Sequence, residues 1–197
     1  MAYGSFTWIA AVLVTLASLA TLLTEDWRAS VGLLAVQYAC AVFLIGSEWP
    51  PALSISALTA GWLAASILGM AMLSLPSGTR EVVIPQINPF FNLLAAGLIL
   101  LLVVSFAPQI PGWLPSLSVE QSWAALVLLG LGLLRLAFDP NPISTSTALL
   151  SILLGFELLF AGLSSSHLAI WLLAVVTLGI ALSGAYMALA PSIEEKN

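Results

Sequence analysis

The constraint that dominates this chain is a succession of apolar runs, each near the length that crosses a bilayer, separated by Pro, Gly and clusters of charge. A transmembrane helix needs about 20 largely apolar residues, because hydrocarbon offers the backbone no hydrogen-bond partner and a continuous helix pairs its own N–H and C=O groups. The runs place spans near residues 6–23, 30–47, 53–74, 90–106, 122–137, 144–163 and 168–190. Turn chemistry marks the connections: Thr24-Glu25-Asp26, Glu48-Trp49-Pro50-Pro51, the stretch Leu75 to Pro89, the proline-rich Pro108 to Glu120, Asp139-Pro140-Asn141-Pro142, and Ser164-Ser165-Ser166-His167. The expected fold is all-α: a polytopic transmembrane bundle of seven helices forming a single membrane domain over residues 1–197.

Charge content agrees. The 197 residues hold four Lys or Arg and nine Asp or Glu, so 7% are charged where a soluble domain has about a quarter. At 61% hydrophobic, the chain has the lipid bilayer as its expected partner. Nucleic acid is not expected, because no basic patch exists. One cysteine, Cys40, precludes an intrachain disulfide and a thiolate metal centre, and reads as a small buried packing residue. The single histidine, His167, has no second imidazole to complete a metal site and reads as an exposed loop residue. There is no glycine-rich phosphate loop and no Cys or His framework for haem or iron–sulfur clusters. No cofactor and no metal are therefore expected, nor an enzyme acting alone. Residues 1–8 contain no Lys or Arg, so the first apolar run reads as a retained span and not a secretion signal.

With seven spans, Arg28, Arg80, Arg135 and Lys196 all fall on one side, after spans one, three, five and seven. Cationic residues concentrate on the cytoplasmic side, which places the amino terminus outside and the carboxyl terminus in the cytoplasm of a multi-pass protein of the cell's inner (plasma) membrane. These four residues read as cytoplasmic-side anchors, and Arg135 is in the last turn of its span, where its side chain can snorkel toward the headgroups. A pairing of Arg135 with Asp139 would contribute little at an exposed site. Trp8, Trp27, Trp49, Trp113 and Trp123 fall at span ends or in loops, where amphipathic rings meet headgroups. Trp62 and Trp171 lie inside spans and are expected to be packing residues. The segment Pro108–Glu120 is expected to rest on the outer interface; whether residues 75–89 insert partway into the membrane stays open.

Glu157 is the residue that stands out, in the run Leu153-Leu154-Gly155-Phe156-Glu157-Leu158-Leu159-Phe160. It lies roughly 20 Å along a span of about 30 Å. Its helical neighbours offer no counter-charge, so a carboxyl there holds its proton or finds a protein partner. Two readings follow: a structural hydrogen bond between helices, or proton handling and subunit coupling. Both require Glu157 to face protein. Gln37 and Tyr38 in the second span, with Thr177 and Ser183 in the seventh, are possible polar partners across helices. Gly179 with Ser183, and Gly155 with Gly162, are small-residue pairs that permit close helix approach. Ser30–Gly46 and Ser146–Gly162 align without gaps, which makes a parallel repeat of spans one to three and five to seven conceivable.

From Arg135 to Met187, an Arg before a polar connection, the helix Leu-Leu-Gly-Phe-Glu-Leu-Leu-Phe-Ala-Gly, a short outer loop and a small-residue-rich last helix together resemble a known family. It is the K-type small membrane subunit of complex I, with the related membrane subunits of group 4 hydrogenases and multisubunit cation antiporters. The resemblance covers about a quarter of the chain and outlines a K-subunit-like unit over 122–190, while the added amino-terminal spans look closer to the longer E-type hydrogenase subunit. It implies a small accessory subunit of an ion- or proton-translocating oxidoreductase or antiporter complex, with larger membrane subunits as partners and Glu157 in the place of the family's proton-translocating acid. The family's next helix carries a second Glu, whereas Leu173–Gly179 has no acid here, which implies a divergent, partly structural member. The alternatives are a stand-alone small transporter or channel, or a membrane scaffold or assembly protein without transport.

Overall fold

The computed structural model describes residues 2–24, 26–46, 49–75, 89–163 and 166–194. Arg80 and Lys196, most of the connection between Leu75 and Pro89, and Glu25, Glu48, Ser164 and Ser165 lie outside the described residues.

Helices α1 (Ala2–Leu23), α2 (Trp27–Ile45), α3 (Pro51–Ser74), α4 (Pro89–Phe106), α5 (Ile110–Trp113), α6 (Val119–Phe138), α7 (Pro142–Ala161) and α8 (His167–Glu194) make up the chain, with a 3-10 turn at Ala107–Gln109. Among the described residues there is no strand, and seven helices, all but α5, are long and apolar enough to cross a membrane. Their ends follow from the local sequence. Asp26 caps α2 by accepting from the Arg28 N–H, and Asn141 caps α7 from the Ile143 N–H, with Pro142 at the first helical position. Ser118 and Gln121 form a reciprocal capping box at α6. Each cap satisfies donors that would otherwise be left unpaired at a helix start.

Two layers of three helices compose the bundle. α1, α2 and α3 pack in chain order as one layer, and α6, α7 and α8 as the other; α1 lies on α6, α2 on α7 and α3 on α8. α4 packs outside this block, against α6 and α1. Burial ranks them accordingly: 61% of the α7 span is buried but only 17% of the span that begins at α4, so α7 is the central helix and α4 a peripheral one. The core is formed by side chains such as Leu34, Tyr38, Leu128, Leu150, Leu154 and Leu158, all fully buried. The outer surface is apolar too, with Phe43, Met70, Leu98, Leu101 and Leu172 exposed, as a lipid-facing surface requires.

Small residues set the helix approaches. A β-carbon on Gly155 would stand 2.9 Å from the Ala125 carbonyl oxygen, so α6 and α7 cross closely there. Gly61 on α3 leaves the space taken by the Tyr38 ring of α2. By contrast, nothing lies within 4 Å of a β-carbon on Gly179, and Ser183 is exposed. That small-residue pair therefore faces away from the bundle, and Gly184, packed on Ser146, makes the close approach from α8. Gly162 does not serve a helix–helix approach; Leu117 fills the space over it.

Trp62 and Trp171, expected to be packing residues, are 51% and 59% exposed, though the Trp62 indole donates to the Ala35 carbonyl of α2. Cys40 is half-buried and not enclosed. The Pro108–Glu120 segment continues α4 through the 3-10 turn and α5, leaves Trp113 exposed, and turns back so that Leu117 is buried and the Ser116 hydroxyl donates to the Gly162 carbonyl. This connection covers the Gly162 end of α7.

Candidate functional site

A polar seam runs through this apolar bundle, along the contact between α2 and α7. It is built from a stripe on each helix. On α2, Ser30, Leu34, Gln37, Tyr38, Ala41, Leu44 and Ile45 are the buried residues, at the three- and four-residue spacing of one helical face. On α7, Ser144, Thr147, Ser151, Leu154 and Leu158 follow the same spacing, with Glu157 also buried.

Arg135 closes one end of the seam. Its guanidinium does not snorkel outward: the residue is 8% exposed, and it donates from Nε to Ser144 Oγ at 2.8 Å and from Nη2 to Ser30 Oγ at 3.0 Å. The inward turn corrects the expectation of a headgroup anchor. Its cause is the pair of seryl oxygens on α2 and α7, which lie on the protein side of α6 and offer the guanidinium fixed acceptors. Asp139 is close enough to be felt electrostatically. Its Oδ1, however, accepts from the Asn141 N–H at 3.1 Å and turns the chain into α7. Arg28, by contrast, is exposed and lies over the Trp27 ring at 5.3 Å, at the same end of the bundle as Ser30.

Gln37 lies two turns farther along α2 and ties three helices together. Its Nε2 donates to Ser18 Oγ of α1 at 3.1 Å, and its Oε1 accepts from Ser151 Oγ of α7 at 2.9 Å. Thr21 on α1 bonds locally, donating to the Ser18 carbonyl. A small cavity lies between this cluster and Arg135.

Next to Gln37, and directed toward α8, is Tyr38. Its ring is fully buried, and its hydroxyl has Glu157 of α7 as its electrostatic neighbour and Thr177 of α8 as its hydrogen-bonding neighbour. Glu157 is 3% exposed, so the carboxyl faces protein and not lipid, as both readings of it require. Fifteen residues after Pro142, it stands about 22 Å along α7. Glu157 Oε2 has no hydrogen-bond partner, while the Tyr38 hydroxyl has only Thr177 of α8 as a hydrogen-bonding neighbour, outside ideal geometry. Thr177 is 1% exposed and donates to the Leu173 carbonyl one turn earlier. Three of the sequence-chosen residues, Glu157, Tyr38 and Thr177, thus meet where α2, α7 and α8 converge. Gln37 belongs to a neighbouring cluster of the same seam, and Ser183 belongs to neither.

The sequence reading missed Ser18, Ser30, Ser144 and Ser151. A signal existed in α7, where Ser144, Thr147 and Ser151 share one face. Isolated serines in spans are common packing residues, however, and only the assembled helices show which ones answer Arg135 and Gln37. Among the described residues, no three His, Cys, Asp or Glu side chains gather as metal ligands.

Fold and site together define a multi-pass α-helical membrane protein whose buried polar seam links an internal arginine to an internal carboxyl. Comparison with family models, with curated proteins and with solved structures returned no match.

Proposed function

We propose that this chain is an accessory membrane subunit of an ion- or proton-translocating complex, of the complex I, membrane-bound hydrogenase or cation antiporter type. In this reading Glu157 exchanges a proton or couples the subunit to its neighbours. The observation that carries the reading is the bonding of Glu157. A carboxyl kept only to tie helices together would commit its oxygens to donors on the neighbouring helices. Glu157 Oε2 is buried and commits to none, with the Tyr38 hydroxyl as its electrostatic neighbour. Buried polar groups left open in this way are costly, and they concentrate where a group must change state during function. The orientation that accompanies the reading has the amino terminus outside and the Arg28 and Arg135 end in the cytoplasm of the inner membrane.

The test is Glu157→Gln in the intact complex, obtained by mild-detergent purification of a tagged chain from its own host. The expected result is normal assembly with larger antiporter-like subunits and a loss of most proton pumping. Pumping and assembly at wild-type levels would reduce Glu157 to a structural role. A second reading, a small transporter acting alone, draws on the small cavity beside Gln37 and Arg135. Ion flux in liposomes holding only this chain would favour it. A scaffold or assembly role would show as reduced abundance of the complex after deletion, with unchanged turnover per complex.

A further inference from the structure

The cavity between Gln37 and Arg135 is lined by Ser18, Thr21 and Ser151 as well as by apolar residues of α6 and α7, and its volume of about 10 Å³ is the space of a single water. Donors around it outnumber their bonds. A guanidinium carries five N–H donors and no acceptor. Arg135 directs Nε to Ser144 and one Nη2 hydrogen to Ser30, and its other hydrogens have no protein acceptor among the described residues. Ser18 Oγ accepts from Gln37 Nε2, which leaves the Ser18 hydroxyl hydrogen and the second Nε2 hydrogen to be satisfied. Acceptors remain as well. Thr21 and Ser151 use their hydrogens on the Ser18 carbonyl, Gln37 Oε1 and the Thr147 carbonyl, while their oxygens keep lone pairs.

What the cavity lacks is a hydrogen-bond partner and not a charge. Asp139 acts on the guanidinium electrostatically from the connection beside it, while its Oδ1 accepts from the Asn141 N–H. The five polar lining residues are all buried, Gln37 completely, so bulk solvent does not serve them. A buried donor left unmade costs more than a typical hydrogen bond returns. Polar cavities of sufficient size hold water for this reason, whereas apolar ones stay dry. A buried water makes about three hydrogen bonds, and donors and acceptors for that number line this site.

We propose that this cavity binds one structural water, which accepts from the Arg135 guanidinium and from the Ser18 hydroxyl or Gln37 amide, and donates to Thr21 Oγ1 or Ser151 Oγ. The water joins two clusters that protein bonds leave separate: Ser30, Arg135 and Ser144 at the end of the seam, and Ser18, Gln37 and Ser151 two turns farther along α2. With it in place, one hydrogen-bonded network runs from the last turn of α6 to the middle of α2 and ties α1, α2, α6 and α7 together. Arg135 stands three residues before the end of α6, about 5 Å from the connection to α7, so water reaches the site without crossing the apolar core. This inference does not rest on the role of Glu157.

A high-resolution structure of the full chain, from crystals grown in a lipid phase, is the first test. The expected result is density for one oxygen within hydrogen-bond distance of an Arg135 Nη atom and of Gln37 Nε2 or Ser18 Oγ. An empty cavity, a protein side chain filling it, or anomalous density there after a bromide soak would overturn the proposal. Magnetisation transfer from water to the Gln37 side-chain amide, in micelles with nitrogen-15-labelled glutamine, is the second; the resonance is assigned by its loss in Gln37→Leu. A cross-peak is expected although Gln37 is fully buried. Ala148→Val, which adds two methyl groups at a residue lining the cavity, should abolish it. No cross-peak in the wild type, or one unchanged by Ala148→Val, would refute the site. Should Ala148→Val fail to fold, the wild-type density and cross-peak still decide.

Discussion

Placing a methyl group at Gly155 interrogates the α6–α7 crossing directly. A β-carbon there would lie 2.9 Å from the Ala125 carbonyl oxygen, 3.0 Å from Leu129 Cγ and 3.1 Å from Leu128 Cβ. The first neighbour is backbone inside α6 and cannot rotate away, so the two helices must separate by on the order of half an ångström, enough to forfeit a quarter to a half of each affected dispersion contact. Overpacking of this kind costs about 1–3 kcal/mol. Against it stands the gain of replacing Gly by Ala in a helix, about 0.5–1 kcal/mol as measured in soluble proteins. Gly155→Ala is therefore expected to destabilise the bundle by up to about 2.5 kcal/mol net. Gly179→Ala supplies the control, because its β-carbon meets nothing within 4 Å, and it should be neutral or slightly stabilising. Unfolding both variants in mixed micelles by rising SDS mole fraction, followed by Trp fluorescence, gives the comparison. Equal shifts for the two variants, or a larger loss at Gly179, would refute the assigned helix faces and with them the placement of Glu157 toward α2 and α8.

Tyr38→Phe removes a buried hydroxyl with no hydrogen bond of good geometry, so stability in the same assay should be unchanged or higher by about 1 kcal/mol; a loss of that size would show that its neighbour Thr177, or Glu157, bonds it strongly. Gln37→Leu breaks the bonds to Ser18 and Ser151 and should lower stability by about 1 kcal/mol, given average interhelical bonds near 0.6 kcal/mol. No loss would mean that the two serines rebond locally at no cost. For orientation, a carboxyl-terminal fluorescent-protein fusion should fluoresce and an alkaline phosphatase fusion at the same point should be inactive. The reverse pattern would reject the assignment made from the arginines.

The spans were legible because hydrocarbon leaves a chain little choice: apolar runs near twenty residues, bounded by Pro, Asp, Asn and Ser, have to be helices. The observed ends lie within a few residues of those expected, and where α2, α6 and α7 begin earlier, a cap at Asp26, Ser118 or Asn141 accounts for it. Which face of each helix is inward was much less legible. In water, amphipathic periodicity reports the buried face, but here core and lipid are equally apolar, so Trp62 and Trp171 carried no mark that they point outward. Arg135 misled for a related reason. Its position in the last turn suggested the headgroups, but Ser144 of α7 and Ser30 of α2, the latter 105 residues away in sequence, give the guanidinium interior partners.

By itself, then, the sequence determined that the chain is an all-α, multi-pass membrane protein, and that Glu157 is an acid embedded in an apolar helix. The tertiary structure decided that this acid lies beside Tyr38, that Gln37 fastens α1 to α7, and that Arg135 turns inward beside a cavity. The division has a physical cause. Membrane insertion depends on composition summed along one helix, which a linear string records. Polar recognition inside a bilayer depends on which helix supplies the matching donor or acceptor, and that is fixed only when the helices pack.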